Sequence, residues 1–189
     1  MPKIISIYGL PACGKTTQAE KLKQEFGLYH FGMGNKIRAE IRSGSGLGQK
    51  IQVMHDSGTL LPDELMIQII KNCGDQAAET GMIFDGFPRM ISQAEMLEKI
   101  LAEKNLTIDK FFYLKISRAE AIKRLNARAA ITGRADDTDI DAVNNRFGVF
   151  QEQSTGLINY YRERGKLVEI DGEKSIEEVY KDISTQIPS

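Results

Sequence analysis

The sequence predicts an α/β fold in which helices cover both faces of a parallel sheet. Three observations carry this. Short apolar runs alternate with longer segments of helical apolar spacing, the pattern of strands joined by helical crossovers. The first apolar run passes through a glycine-rich loop directly into the first helical segment. Three helical segments open on a serine with a glutamate three residues on: Ser92 with Glu95, Ser117 with Glu120 and Ser175 with Glu178. That pairing satisfies two free N–H groups at a helix start.

Taken in order, residues 4–8 (Ile-Ile-Ser-Ile-Tyr) form the first strand and 15–26 the first helix. The run at 29–31 is the second strand. Helices over 35–42 and 47–57 follow with no strand between them, joined around Ser43-Gly44-Ser45-Gly46. Pro62 introduces a helix over 63–79, where a fixed φ and a missing N–H do no harm. Strands at 82–84 and 111–116 enclose a helix over 93–103, and 119–128 is helical. Residues 129–139 form a polar loop before a long helix over 140–164. A strand at 167–170 and a helix over 176–187 complete the chain. The strandless stretch 33–63 and the loop 129–139 break the rhythm and read as inserts at one edge of the sheet. The core is then 1–32, 64–128 and 140–189. There is no internal repeat and no low-complexity tract.

The 189 residues are 41% hydrophobic and 27% charged, as in a soluble globular domain. A net charge of −1 excludes a chain that binds polyanions through its overall charge, so no nucleic-acid partner is expected. Any anion site must be local. No apolar run approaches the ~20 residues needed to span a bilayer. The start Met1-Pro2-Lys3-Ile4 does not read as a signal peptide. Cys13 and Cys73 make neither a disulfide framework nor a paired metal spacing. A cytoplasmic location is expected.

Gly9-Leu10-Pro11-Ala12-Cys13-Gly14-Lys15-Thr16 matches G-x-x-x-x-G-K-[ST], with a strand before it and a helix after it. Glycines let backbone N–H groups turn inward around a phosphate, and the helix N-terminus adds favourable potential. Lys15 supplies a mobile positive charge to the β- and γ-phosphates, and Thr16 a hydroxyl near Mg²⁺. Asp85 closes the run 82–84 and would stand beside this loop at the carboxyl end of its strand, placed to hold Mg²⁺ through water. Cys13 reads as a small residue that fits a tight turn; the alternative is a thiol that, near a helix N-terminus and Lys15 and if exposed, would be open to oxidation.

At this point the chain resembles the adenylate kinases. Gly9 to Gln18 is similar to that family's phosphate-loop signature, and Arg38 to Gly48 to its acceptor-site helix and turn. Asp85-Gly86-Phe87-Pro88-Arg89 with Gln93 resembles its most diagnostic segment. Arg134-Ala135-Asp136-Asp137 with Arg146 resembles its lid and following helix, and Asp171-Gly172-Glu173-Lys174 the turn near the donor adenine. The resemblance implies a P-loop NTPase fold with a five-stranded parallel sheet, an acceptor-binding insert at 33–63 and a short lid at 129–139. It implies transfer of a phosphoryl group from MgATP to a nucleoside monophosphate, most simply AMP, by a monomer. No structural zinc is expected, because the lid lacks four cysteines. Ala12 stands where a loop glycine is usual and Thr16 where a glycine follows the lysine. Met33 replaces a threonine near the acceptor base, and Asn35 an aspartate. The last two leave the acceptor's identity open.

Phosphoryl transfer needs alignment and charge stabilisation more than covalent chemistry. A monophosphate oxygen is already anionic near neutrality, its second pKa being about 6, so no general base is required. Arginine is suited to the task because its planar guanidinium bridges two phosphate oxygens. By the resemblance, Arg38 and Arg89 hold the acceptor phosphate, and Arg124, Arg128, Arg134 and Arg146 serve the donor side and the lid, the last two also reaching the acceptor. With Lys15 and Arg89, these four are the expected catalytic groups. The donor nucleotide would meet Gly9, Ala12, Cys13, Gly14, Lys15, Thr16, Thr17, Gly172 and Lys174. The acceptor would meet Met33, Leu60, Leu61, Gly86 and Gln93, whose amide suits a base edge. His30 and His55 read as structural. Three other readings remain: a pyrimidine or deoxynucleoside monophosphate as acceptor, a nucleotide-binding module without turnover, and a GTPase-type switch. The last lacks an Asn-Lys-x-Asp tetrad.

Overall fold

The computed structural model describes residues 2–132 and 139–187. β1 (Ile4–Gly9) is buried along its whole length. It lies between β3 (Met82–Asp85) and β4 (Lys110–Lys115), parallel to both. β2 (Tyr29–Gly32) adds to β3 and β5 (Leu167–Asp171) to β4, giving the all-parallel order β2-β3-β1-β4-β5. Each strand end falls within one residue of the sequence expectation.

Nine helices are described: α1 (Lys15–Phe26), α2 (Met33–Arg42), α3 (Gly46–Asp56), α4 (Asp63–Ile70), α5 (Cys73–Thr80), α6 (Ile91–Ala102), α7 (Arg118–Thr132), α8 (Ile140–Glu163) and α9 (Ile176–Ser184). Alternate residues of a strand point to opposite faces, and β1 divides accordingly. Ile4 and Tyr8 join a core with Met66, Ile70, Leu97 and Tyr161 from α4, α6 and α8. Ile5 and Ile7 join a second core with Ala19, Leu22, Val179 and Ile183 from α1 and α9. The sheet is thus covered on both faces. A third cluster, Ala121, Leu125, Val143 and Phe147, holds α7 against α8.

Several helix boundaries differ from the sequence reading. The segment 63–79 is two helices, because the backbone at Asn72 (φ −98°, ψ 3°) leaves helical geometry between Ile70 and Cys73. α2 starts at Met33, two residues early, directly from the extended Gly32. α6 starts at Ile91, so Ser92 lies inside the first turn and its hydroxyl meets Asp63 Oδ1 at 3.3 Å instead of capping. Ser117 makes half a capping box. Its Oγ accepts from Glu120 N at 3.2 Å, but its own N–H goes to Glu173 Oε1 at 2.7 Å. Only the Ser175–Glu178 box closes in both directions. α7 runs on past 128 to Thr132, and α9 stops at Ser184. α8 opens on Asp139, whose carboxylate accepts from the N–H groups of Asp141 and Ala142.

Candidate active site

Strand register sets the site. Ile7 and Gly32 both pair with Asp85, so β1, β2 and β3 end at one edge of the sheet, the carboxyl edge where α/β folds collect ligands. A cavity of about 420 Å³ opens there. Lys15, Arg38, Arg89, Arg124, Arg128 and Arg146 line it, against a single carboxylate among the described residues, Asp85. Concentrated positive charge in a chain of net charge −1 marks an anion site.

The loop after β1 depends on left-handed backbone. Gly9 has φ +151°, and a Cβ on it would lie 2.5 Å from Leu114 O. Gly14, at φ +102°, is the N-cap of α1. Ala12 adopts φ +61°, a conformation that costs a residue with a Cβ about 1 kcal/mol, which explains why glycine is the more usual choice there. Lys15 Nζ folds back to donate to Gly9 O at 2.9 Å and Leu10 O at 2.8 Å, and it lies 3.5 Å from Cys13 Sγ. Cys13 is only 2% exposed, so the exposure that a reactive thiol needs is not met.

Across the cleft floor, Thr16 Oγ1 donates to Asp85 Oδ2 at 2.7 Å. The same oxygen is 3.2 Å from His30 Nε2, and His30 Nδ1 is 2.8 Å from Glu20 Oε1. Burial alone would raise the Asp85 pKa. The bonds from His30 and Thr16 and the charge of Lys15 outweigh it and hold the carboxyl below its usual range. Among the described residues there is no group of three or more His, Cys, Asp or Glu able to hold a metal. The Thr16 hydroxyl and the ionised Asp85 are instead two hard oxygen donors. That set fits Mg²⁺, an ion that keeps most of its waters and takes further oxygens from a phosphate.

In the same cleft Arg89 is half-buried, its Nε donating to Gly86 O at 2.8 Å. Its two terminal NH₂ groups have no hydrogen-bond partner among the described residues. Burial and the nearby Arg146 push its pKa below the usual arginine value, so a second anion would relieve both. Arg38 is anchored by Asn35 Oδ1 at 2.7 Å. A smaller cavity of about 80 Å³ adjoins Arg89 and Arg38, walled by Met33, Leu60 and Leu61. Gln93 is fully buried and lines neither cavity; its Oε1 accepts from Arg89 N at 2.9 Å.

The other expected site residues divide. Ala12, Gly14, Thr17 and Gly86 line the main cavity, as do Arg124 and Arg128. Arg124 Nε donates to Glu120 Oε1 at 2.7 Å, and its NH1 sits 3.5 Å from Cys13 O. Gly172 packs behind the loop, where a Cβ would come within 3.6 Å of Cys13 O, and lines neither cavity. Lys174 pairs with Asp182 at 2.8 Å on the surface, away from the cleft. Arg134 and most of the expected lid lie outside the described residues. Sequence reasoning missed the wall formed by Tyr8, Val149 and Phe150. Phe150 lies one helical turn after Arg146, a spacing that could have revealed it. It also missed that His30 touches Asp85 and that His55 borders the smaller cavity.

The family model described as adenylate kinase matches residues 7–166. An adenylate kinase of Azobacteroides pseudotrichonymphae is 40% identical over 184 residues, 97% of this chain and 96% of the relative. One of Caulobacter sp. (strain K31) is 41% identical over 174 residues, 92% of each. One of Bacteroides thetaiotaomicron is 38% identical over 180 residues, 95% of each. A glycine loop that ends a buried strand, a carboxylate on the next strand and two cationic pockets in one cleft all lie within that match, and the chain belongs to the adenylate kinase family.

Proposed function

We propose that this chain catalyses ATP + AMP = 2 ADP, passing the γ-phosphoryl group of MgATP to AMP. The observation that carries this is one cleft that gathers the Lys15 loop, Asp85, Arg38 and Arg89. A smaller cavity adjoins Arg38 and Arg89 and suits a base, with Met33, Leu60 and Leu61 in its wall.

Each residue's part follows from its chemistry. Backbone N–H groups of residues 12–17 and the Lys15 ammonium bind the donor phosphates once Lys15 releases the carbonyls of Gly9 and Leu10. Thr16 and Asp85 would hold the magnesium, which when bound neutralises the β- and γ-oxygens. Arg89 and Arg38 grip the acceptor phosphate and point its anionic oxygen at the γ-phosphorus. Arg124, Arg128, Arg134 and Arg146 stabilise charge that spreads over the transferred group. No side chain removes a proton: the acceptor oxygen is anionic, and an Asp85 held below the usual carboxylate pKa is a poor base. Residues 33–63 act as the acceptor insert and 129–139 as a lid, both closing to exclude water that would compete for the γ-phosphoryl group. The remaining residues are the core. No helix among the described residues is long and apolar enough to cross a membrane, and the reading is of a cytoplasmic monomer.

The test is a coupled assay of the purified protein with MgATP against AMP, CMP, UMP, GMP and dAMP. AMP should be used best and the reaction should need Mg²⁺. Preference for CMP or UMP would favour the pyrimidine reading that Met33 raises. No turnover with any acceptor would leave only a nucleotide-binding module.

A further inference from the structure

The smaller cavity is bordered by a polar side chain that phosphate binding does not use. Its wall includes Met33, Leu60 and Leu61, and its three arginines are assigned to the phosphates. Two other polar side chains border it, Thr59 and His55. The Thr59 hydroxyl is committed, lying 3.1 Å from Met54 O and 3.1 Å from Ser57 Oγ. His55 is different. Its Nδ1 is 3.3 Å from Asp56 Oδ1, and its Nε2 has no hydrogen-bond partner among the described residues. A carboxylate can only accept, so Nδ1 carries the proton, and in the neutral ring Nε2 is left with a lone pair.

We propose that His55 selects acceptor bases carrying an exocyclic amine, its Nε2 accepting from that amine. This rests on the acceptor site proposed above and names the feature it reads. Adenine presents its 6-amino group. Guanine and uracil present a carbonyl there, so the contact would set acceptor against acceptor. Adding a hydrogen-bonded partner that the wrong base leaves unpaired gives stronger discrimination than shape alone.

The experiment compares kcat/KM for AMP with that for purine riboside 5′-monophosphate, which keeps N1 and lacks the amine. Wild type should favour AMP by about tenfold, the range of one hydrogen bond with an unpaired alternative. His55→Leu should reduce the preference to about twofold or less. His55→Gln keeps an acceptor atom and should retain most of the preference. Equilibrium binding of the two monophosphates gives the same ratio for a variant with weak turnover. A wild-type preference surviving in His55→Leu overturns the assignment. So does equal loss in both variants, because cavity shape would then be the cause. If the wild-type protein phosphorylates neither compound, the proposed function falls and this inference with it. AMP turnover with an unchanged ratio in His55→Leu removes the inference alone.

Discussion

Substituting Gly48 tests how α2 and α3 build the acceptor side. A Cβ at Gly48 would lie 2.2 Å from Glu40 O, 2.9 Å from Glu40 C and 3.2 Å from Ile41 Cα. All three atoms are backbone, so no rotamer change relieves the contact and the two helices must separate. Overpacking of this kind costs about 1–3 kcal/mol, and rigid neighbours place it near the upper end. Replacing a helical glycine by alanine returns ~0.5–1 kcal/mol. The net for Gly48→Ala is a loss of about 2 kcal/mol, or a fall in Tm of roughly 4–8 °C at this chain length. The control is Gly148→Ala on α8, where a Cβ would meet nothing within 4 Å. There only the helix gain remains, and Tm should rise by roughly 1–4 °C. Gly48→Ala should also raise the KM for AMP about tenfold, because Arg38 and Met33 on α2 move away from the turn after α3, while the KM for ATP changes little. Thermal unfolding and steady-state kinetics on both variants provide the measurement. A higher Tm for Gly48→Ala, or equal loss of affinity for AMP and ATP, would refute the packing argument.

Lys15→Ala should lower kcat by about 10² or more, since it removes the ammonium nearest the transferring group; a loss under threefold would mean the loop does not hold the donor. Arg89→Ala should weaken use of AMP by roughly 10–100-fold with a far smaller effect on ATP binding, and an equal effect on both would move Arg89 away from the acceptor. For the metal-free protein, pH-dependent unfolding checks the buried contact of His30 with Asp85. Burial opposes the charge on His30, but hydrogen bonds to Asp85 and Glu20 outweigh it and raise its pKa above 6.5. That stabilisation is complete below about pH 6.5 and is lost as pH rises through the higher folded value. The Asp85 contribution is present above about pH 4 and lost below, through its lowered folded value. His30→Gln should therefore cost about 2 kcal/mol between about pH 4 and 6.5 and less at pH 9; a cost independent of pH would mean that His30 is uncharged.

The phosphate loop was legible in the sequence because its chemistry dictates residue type at fixed spacing. Gly9 and Gly14 need positive φ, Lys15 needs a charge, and Thr16 must face the end of β3. The strands were legible because a parallel sheet covered on both faces leaves no polar alternation to confuse the reading. The break between α4 and α5 was not. Met66, Ile70, Cys73 and Ala77 all pack in one core, so the apolar spacing runs through Asn72 as though the helix continued. The surface pairing of Lys174 was not legible either. Its partner Asp182 stands eight residues on, across a turn and a helix, where local sequence says nothing about which way an ammonium points. His30 and His55 read as structural because each gains its meaning from a distant neighbour, Asp85 for one and the cavity beside Met33 for the other.

On the proposed reading, one cleft holds a donor and an acceptor phosphate in line and keeps water out between them. The most direct measurement follows the label from [γ-³²P]ATP incubated with AMP, Mg²⁺ and the purified chain. The account predicts label in the β-phosphate of the ADP newly formed from AMP, two ADP for each ATP consumed, and negligible labelled inorganic phosphate. Label released chiefly as inorganic phosphate, or ATP consumed at the same rate without AMP, would contradict it.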